Sequence, residues 1–295
     1  MFTPLRWTMK WTVCCWLCCC ACTETNKDTE GSDSDPLDSD TSEQTASSDD
    51  TEQDTTPQIT MIGTAEDRTP FEYVFDGEVD ETVWIKGLYT FDGNGTILSP
   101  DQVVAGDDYV TLRIDKLEEE QEGRLYASGQ LQTNRLFSYG TFTARMRSPI
   151  PSGTVSSVFV MNPWEAGHWL HKEIDIEFLG KDRRAVQYAV HRFYADTESG
   201  GGDPYIQSLD FDIGDAFHEY AIVWRPDLIE WRVDGEAVYT YDQNIPDEPM
   251  NLFVNFWLPD PDTSWSADWV GEFDEADLPS VTEYEWIRYE PLVTR

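Results

Sequence analysis

Apolar and polar residues alternate with a period of two in short runs along most of the chain after about residue 58. The runs are Tyr109 to Ile114, Gly140 to Met146, Val155 to Met161, Val186 to Phe193, Tyr220 to Trp224, Ile229 to Val233, Leu252 to Trp257 and Tyr284 to Tyr289. They are rich in Val, Ile, Tyr, Phe and Trp and are divided by Gly, Pro and Asp, which predicts β-strands bounded by turns. Trp231 to Tyr239 predicts a hairpin turning at Asp234-Gly235. No long stretch holds a helical period, and no internal repeat is evident. The expected fold class is all-β, either two packed antiparallel sheets or a barrel.

The strictest alternation is Lys172-Glu173-Ile174-Asp175-Ile176-Glu177-Phe178-Leu179-Gly180. On a strand, Glu173, Asp175 and Glu177 point to one side and Ile174, Ile176 and Phe178 to the other. Three carboxylates on one face repel each other and add no stability, so the row makes physical sense where protons are moved in a cleft. Glycoside hydrolysis needs a proton donor at the leaving oxygen and a second carboxylate at the anomeric carbon. Retaining enzymes hold the pair about 5–5.5 Å apart. Four residues of strand span about 13 Å between Cα atoms, and two Glu side chains can lean together over that gap. Asp175, between them, can hydrogen-bond either neighbour and keep one of the three protonated by like-charge coupling. An exposed acidic strand face is the bland alternative. The wholly apolar opposite face and the flanking Trp164, Trp169 and Phe178 argue against it.

Composition then narrows the partners. The 295-residue chain carries a formal net charge of -37, which argues against nucleic acid and anionic membrane surfaces as partners. Its 12 Trp and 13 Tyr suit both a core and a sugar-binding cleft, because a pyranose ring offers an apolar C–H face to an indole. All 6 cysteines lie between Cys14 and Cys22, so no disulfide framework is expected in the folded domain.

The chain divides into three expected regions. Arg6 and Lys10 precede a short apolar run from Trp11 to Cys22, the pattern of a secretory leader over residues 1–22. Its end resembles a bacterial lipoprotein signal, with Cys20 and Cys22 as competing lipidation sites. Residues 23–57 are Asp, Glu, Ser and Thr with almost no large apolar side chain. They read as a disordered acidic linker. Residues 58–295 form the expected catalytic domain, tethered or secreted outside a bacterial cell. A monomer is expected, touching a membrane only through the lipid anchor.

Glu173-Ile174-Asp175-Ile176-Glu177-Phe178-Leu179-Gly180 resembles the signature of glycoside hydrolase family 16, in the version without a bulge found in bacterial licheninases and plant xyloglucan endotransglycosylases. Ser138-Tyr139-Gly140, Gly153 to Ser157, Gly180-Lys181-Asp182, Val186-Gln187, the Trp231–Gly235 hairpin, Asn255-Phe256-Trp257, Asp268 to Gly271 and Glu283 to Trp286 follow in licheninase order. The resemblance implies a curved, concanavalin-like β-jelly-roll sandwich with a concave glycan cleft. It implies Glu173 as nucleophile, Glu177 as general acid/base and Asp175 as the assisting carboxylate; the strand argument alone does not order the two glutamates. It also places Trp257, Asn255, Trp269 and Asn94 as sugar-binding residues. No cofactor is required, and the resemblance adds an expected structural calcium with Glu285 as a ligand.

Several positions depart from the licheninase pattern. His171 stands where licheninases carry Trp and resembles the transglycosylases. Gly129 and Leu131 replace an acidic and a basic sugar-binding residue. Ala189 replaces an Asn, and His191 resembles a laminarinase-type His near the sugar. The expected function is a retaining, endo-acting hydrolase of β-1,3-1,4 or β-1,3 linked glucan. A transglycosylase and a non-catalytic carbohydrate-binding module remain as alternatives.

Overall fold

A computed structural model describes residues 68–163, 171–193 and 204–292. The leader, the linker, the start of the expected domain and the flanking Trp164 and Trp169 lie outside the described residues. The strands are β1 (Phe71–Val74), β2 (Trp84–Lys86), β3 (Thr96–Leu98), β4 (Val103–Ala105), β5 (Val110–Gln121), β6 (Arg124–Thr133), β7 (Gly140–Arg147) and β8 (Val155–Met161). They continue with β9 (His171–Leu179), β10 (Ala185–Phe193), β11 (Tyr205–Ser208), β12 (His218–Trp224), β13 (Ile229–Val233), β14 (Glu236–Tyr241), β15 (Asn251–Trp257) and β16 (Ser280–Pro291). One short helix, α1 (Ser266–Val270), lies between the last two strands.

The strands make a jelly-roll sandwich, as the alternation and the resemblance imply. One layer runs β11-β10-β9-β8-β15-β6 and the other β5-β16-β7-β12-β13-β14. The layers are continuous, because β6 also pairs with β5, placing Ser128 opposite Ile114 and Ala127 opposite Asp115. Neighbours along both layers are antiparallel; β3 adds to β6 in parallel. The Asp234-Gly235 hairpin joins β13 to β14, and both turn residues have positive φ, 49° and 83°, as a two-residue hairpin turn requires.

The apolar side of β9 faces the core. Ile174, Ile176 and Phe178 are each 0% exposed, and burial of each contributes about 1.5–3 kcal/mol. A one-residue slip would expose all three and bury the carboxylates, so the register of β9 is strongly set. Across the core, Phe178 meets the edge of Tyr220 on β12 at 4.7 Å. Trp231 on β13 donates its Nε1–H to the Asp175 carbonyl at 2.9 Å. The Tyr284 hydroxyl donates to the Ser157 carbonyl at 3.2 Å. These buried polar tips find backbone partners on the opposite layer, and they tie down β9, which carries the acidic row, and its neighbour β8.

Candidate active site

Pairing within the first layer brings the acidic row into a two-dimensional array. Glu173, Asp175 and Glu177 on β9 stand opposite Met161, Phe159 and Ser157 on β8. On the other side they stand opposite His191, Ala189 and Gln187 on β10. The array continues through β15, where Asn255 faces Ser157 and Phe253 faces Phe159. It reaches β6, where Gln130 faces Asn255 and Gln132 faces Phe253. Because directly opposed residues share a face, one surface carries the carboxylates, two imidazoles and several amides. The phenyl rings of Phe159 and Phe253 stack 4.8 Å apart beside Asp175. They supply an apolar floor that keeps water from the middle carboxylate.

Each carboxyl has a distinct partner. His171 Nε2–H donates to Glu173 Oε2 at 2.7 Å. Gln187 Nε2–H donates to Glu177 Oε2 at 2.6 Å. His191 Nε2 stands 3.4 Å from Asp175 Oδ2. Burial pushes the Glu173 carboxyl up, but the hydrogen bond and charge of His171, the charge of His191 and a hydrogen bond from Asp175 together outweigh burial and hold it below the usual carboxylate range. Burial first, and then the charges of Glu173 and Glu177, push Asp175 well up, and its hydrogen bond with Glu173 adds to the rise. Burial pushes Glu177 up to about 7; the Gln187 bond opposes that rise and the Glu173 charge adds to it. Burial also lowers His191, while the charge of Glu173 opposes that fall. One outer glutamate is thus an ionised base able to attack, and the other holds a proton near neutrality. Two titrating groups pushed apart by their surroundings are what acid/base chemistry at pH 7 needs.

The expected sugar-binding residues fall into four groups. His171 and His191 lie beside the carboxylates. Asn255 is 7% exposed, and its buried Oδ1 has no hydrogen-bond partner among the described residues, an acceptor suited to a sugar hydroxyl. Trp257 and Trp269 are half-buried, their rings 5.9 Å apart, and both pack on Val155, Leu179 and Val270. Asn94 is fully buried at the end of β15, and its Oδ1 accepts from Thr96 N–H at 2.9 Å and from Thr96 Oγ1 at 2.7 Å. Its side chain holds the turn before β3, and its buried Nδ2 has no hydrogen-bond partner among the described residues.

Glu285 does not fit a calcium centre. Its carboxylate accepts from Arg145 Nε at 2.6 Å, and a guanidinium at that distance opposes a second cation. Among the described residues, the atoms that come together in a metal-like cluster are one each from Glu173, Asp175 and His191, all within 4.8 Å of one another; these belong to the acid/base array.

Sequence reasoning missed Gln187 as a partner of Glu177, although Val186-Gln187 was visible as a matching pair. It also missed Tyr89. The Tyr89 hydroxyl accepts from Gln130 Nε2 at 2.9 Å. Its proton is held more tightly than usual by burial, with a further contribution from the charge of Glu173. An isolated Tyr in an irregular segment gives no periodic signal. A separate depression beyond the end of β9, lined by residues including Pro149, Lys181, Arg183 and Asp212, includes none of the three carboxylates. Its basic groups are already engaged, Lys181 with the Asp268 carbonyl and Arg183 with Asp212.

Comparison with known proteins agrees with this geometry. The family model for Glycosyl hydrolases family 16 matches residues 92–277. The chain is 38% identical over 232 residues to a beta-glucanase of Brevibacillus brevis, covering 76% of this chain and 83% of that protein. It is 35% identical over 234 residues to a beta-glucanase of Acetivibrio thermocellus, covering 76% of this chain and 63% of that protein. Its fold matches the crystal structure of a prokaryotic beta-1,3-1,4-glucanase (lichenase) derived from a mouse hindgut metagenome. That match has a TM-score of 0.68 and 32% identity, covering 76% of this chain and 100% of that one.

Proposed function

Because the chain belongs to glycosyl hydrolases family 16, we propose that it hydrolyses β-glucan internally and with retention, by double displacement. The observation that carries this reading is the opposite tuning of two glutamates on one strand face, Glu173 held ionised and Glu177 raised to about 7. Glu173 attacks the anomeric carbon while Glu177 gives its proton to the leaving glycosidic oxygen, and a glycosyl ester forms on Glu173. Glu177, now a carboxylate, takes a proton from water as that water displaces the ester, which restores both groups. Asp175 donates a hydrogen bond to Glu173 in the resting site and so orients it. His171 does the same from the other direction.

Mixed-linkage β-1,3-1,4 glucan is the first substrate to test, followed by β-1,3 glucan. The acidic surface and the half-buried indoles suit a neutral polysaccharide. His171 against the nucleophile also supports a second reading, in which a sugar acceptor replaces water; lengthened oligosaccharides at high acceptor concentration would reveal it. The leader and acidic linker support an envelope-tethered or secreted monomer, with Cys20 or Cys22 carrying the lipid.

The test is a panel of mixed-linkage glucan, laminarin, xyloglucan and agarose, comparing wild type with Glu173→Ala and Glu177→Gln. Turnover of at least one β-glucan is expected, with losses of about 10³-fold or more in each variant. Undiminished turnover in both variants would remove the assignment.

A further inference from the structure

Two loops at the β15 end of the array are joined edge to edge. Asn94 bridges to Pro259, Gly95 N–H donates to the Leu258 carbonyl at 2.7 Å, and Asp260 N–H donates to the Gly93 carbonyl at 2.8 Å. Gly93 adopts φ +85°, and a Cβ there would lie 3.3 Å from the Trp265 ring. The turn therefore makes room for an indole that the neighbouring loop presses against it. Trp265 and Trp269 sit one helical turn apart, with Trp269 N–H donating to the Trp265 carbonyl at 3.1 Å, so both side chains emerge on the same side of α1.

The result is an unbroken run of four aromatic rings. Phe91 and Trp257 are 5.4 Å apart, Trp257 and Trp269 5.9 Å, and Trp269 and Trp265 5.7 Å. Core indoles of this protein are sealed: Trp84, Trp224 and Trp231 are each 1% exposed or less. All four rings of the run stay half-buried. A contiguous, partly open aromatic surface at the margin of a polar array marks a place where a ligand completes the packing. Asp260, Asp262 and Asp268 lie in the same connection as Trp265. Carboxylates there accept hydrogen bonds from hydroxyls and repel anionic glycans, so the surface suits a neutral sugar chain.

We propose that Trp265 extends this surface and binds a sugar unit beyond those served by Trp257 and Trp269, so that the enzyme favours long neutral β-glucan chains over short ones. The proposal rests on the β-glucanase reading above. It is tested by measuring kcat/KM for a mixed-linkage glucan tetrasaccharide and for the polymer. In Trp265→Ala the polymer-to-tetrasaccharide ratio should fall about tenfold, the size of a lost stacking partner. Trp265→Tyr should restore most of it, and the thermal midpoint of each variant shows whether the loops still hold. An unchanged ratio in folded Trp265→Ala, or an equal fall on both substrates, would overturn the proposal. If wild type turns over laminarin instead, the same ratio is read on laminarin and its oligosaccharides; absence of turnover on every β-glucan of the panel above would instead overturn the glucanase reading.

Discussion

Glu173 and Glu177 have the same side chain, the same strand and the same face, yet the fold gives them opposite ground states. The difference lies in what each meets on the next position or the next strand: an imidazole at 2.7 Å for Glu173 and a neutral amide at 2.6 Å for Glu177. Resemblance alone ordered the pair in the sequence; burial and these two partners order it physically. A pH profile follows with a definite sign. Glu177 must carry its proton, so kcat/KM falls as pH rises through about 7. Glu173 must be ionised, so the acidic limb lies below the ordinary carboxylate range. Gln187→Leu removes the hydrogen bond that opposes the rise of Glu177 and should move the alkaline limb to higher pH. A limb that stays in place, or moves down, would separate Glu177 from the proton donated to the leaving group.

At the level of elements, β9 is held at its end by a contact that admits no side chain. A Cβ on Gly180 would lie 1.8 Å from the Pro151 carbonyl oxygen. Gly180→Ala must therefore push apart the end of β9 and the segment before β8. It should cost about 3 kcal/mol, read as a lower urea midpoint; a midpoint equal to wild type would show that the contact yields freely. The strands easiest to read in the sequence were those with one apolar face, and β8 and β13 match their runs residue for residue. β6 was not legible. Its Ser128, Gln130, Gln132 and Thr133 are buried polar residues, so the polar side of the strand does not signal solvent. β1 to β4 and β11 were too short for alternation to register. Asn94 was visible as a turn residue, but its burial depends on contact with Pro259, far away in the chain. Trp265 was hidden for the same reason: nothing local to it specifies Gly93 or Trp269 as neighbours.

Over the whole molecule, charge opposes compaction. The full chain has 57 acidic and 20 basic residues, and like charges repel most where screening is weak. Ion pairs such as Lys116–Glu275, about half exposed at both ends, contribute only about 0–1 kcal/mol each. Their loss in salt should be smaller than the relief of self-repulsion. The thermal midpoint should therefore rise as sodium chloride increases from about 0.01 M to about 0.5 M, where the screening length shrinks from about 30 Å to below 8 Å. A falling midpoint would mean that the pairs, and not the net charge, dominate. The fold class and the catalytic row were both legible because burial is periodic along single strands. The continuity of the two layers was not, since it depends on one pairing, β5 with β6.

The reacting groups and the aromatic run are built on different kinds of backbone. Glu173, Asp175, Glu177, Gln187 and His191 hang on three rungs of a hydrogen-bonded ladder, whose spacing is the same in any well-formed sheet. Phe91, Trp265 and Trp269 hang on connections between strands. Insertions or exchanges in those connections can lengthen, shorten or redirect the grip on a polysaccharide while the proton-transfer geometry stays put. Grafting residues 258–269 onto a relative should therefore carry a preference for chain length with it and leave the donor's pH profile behind.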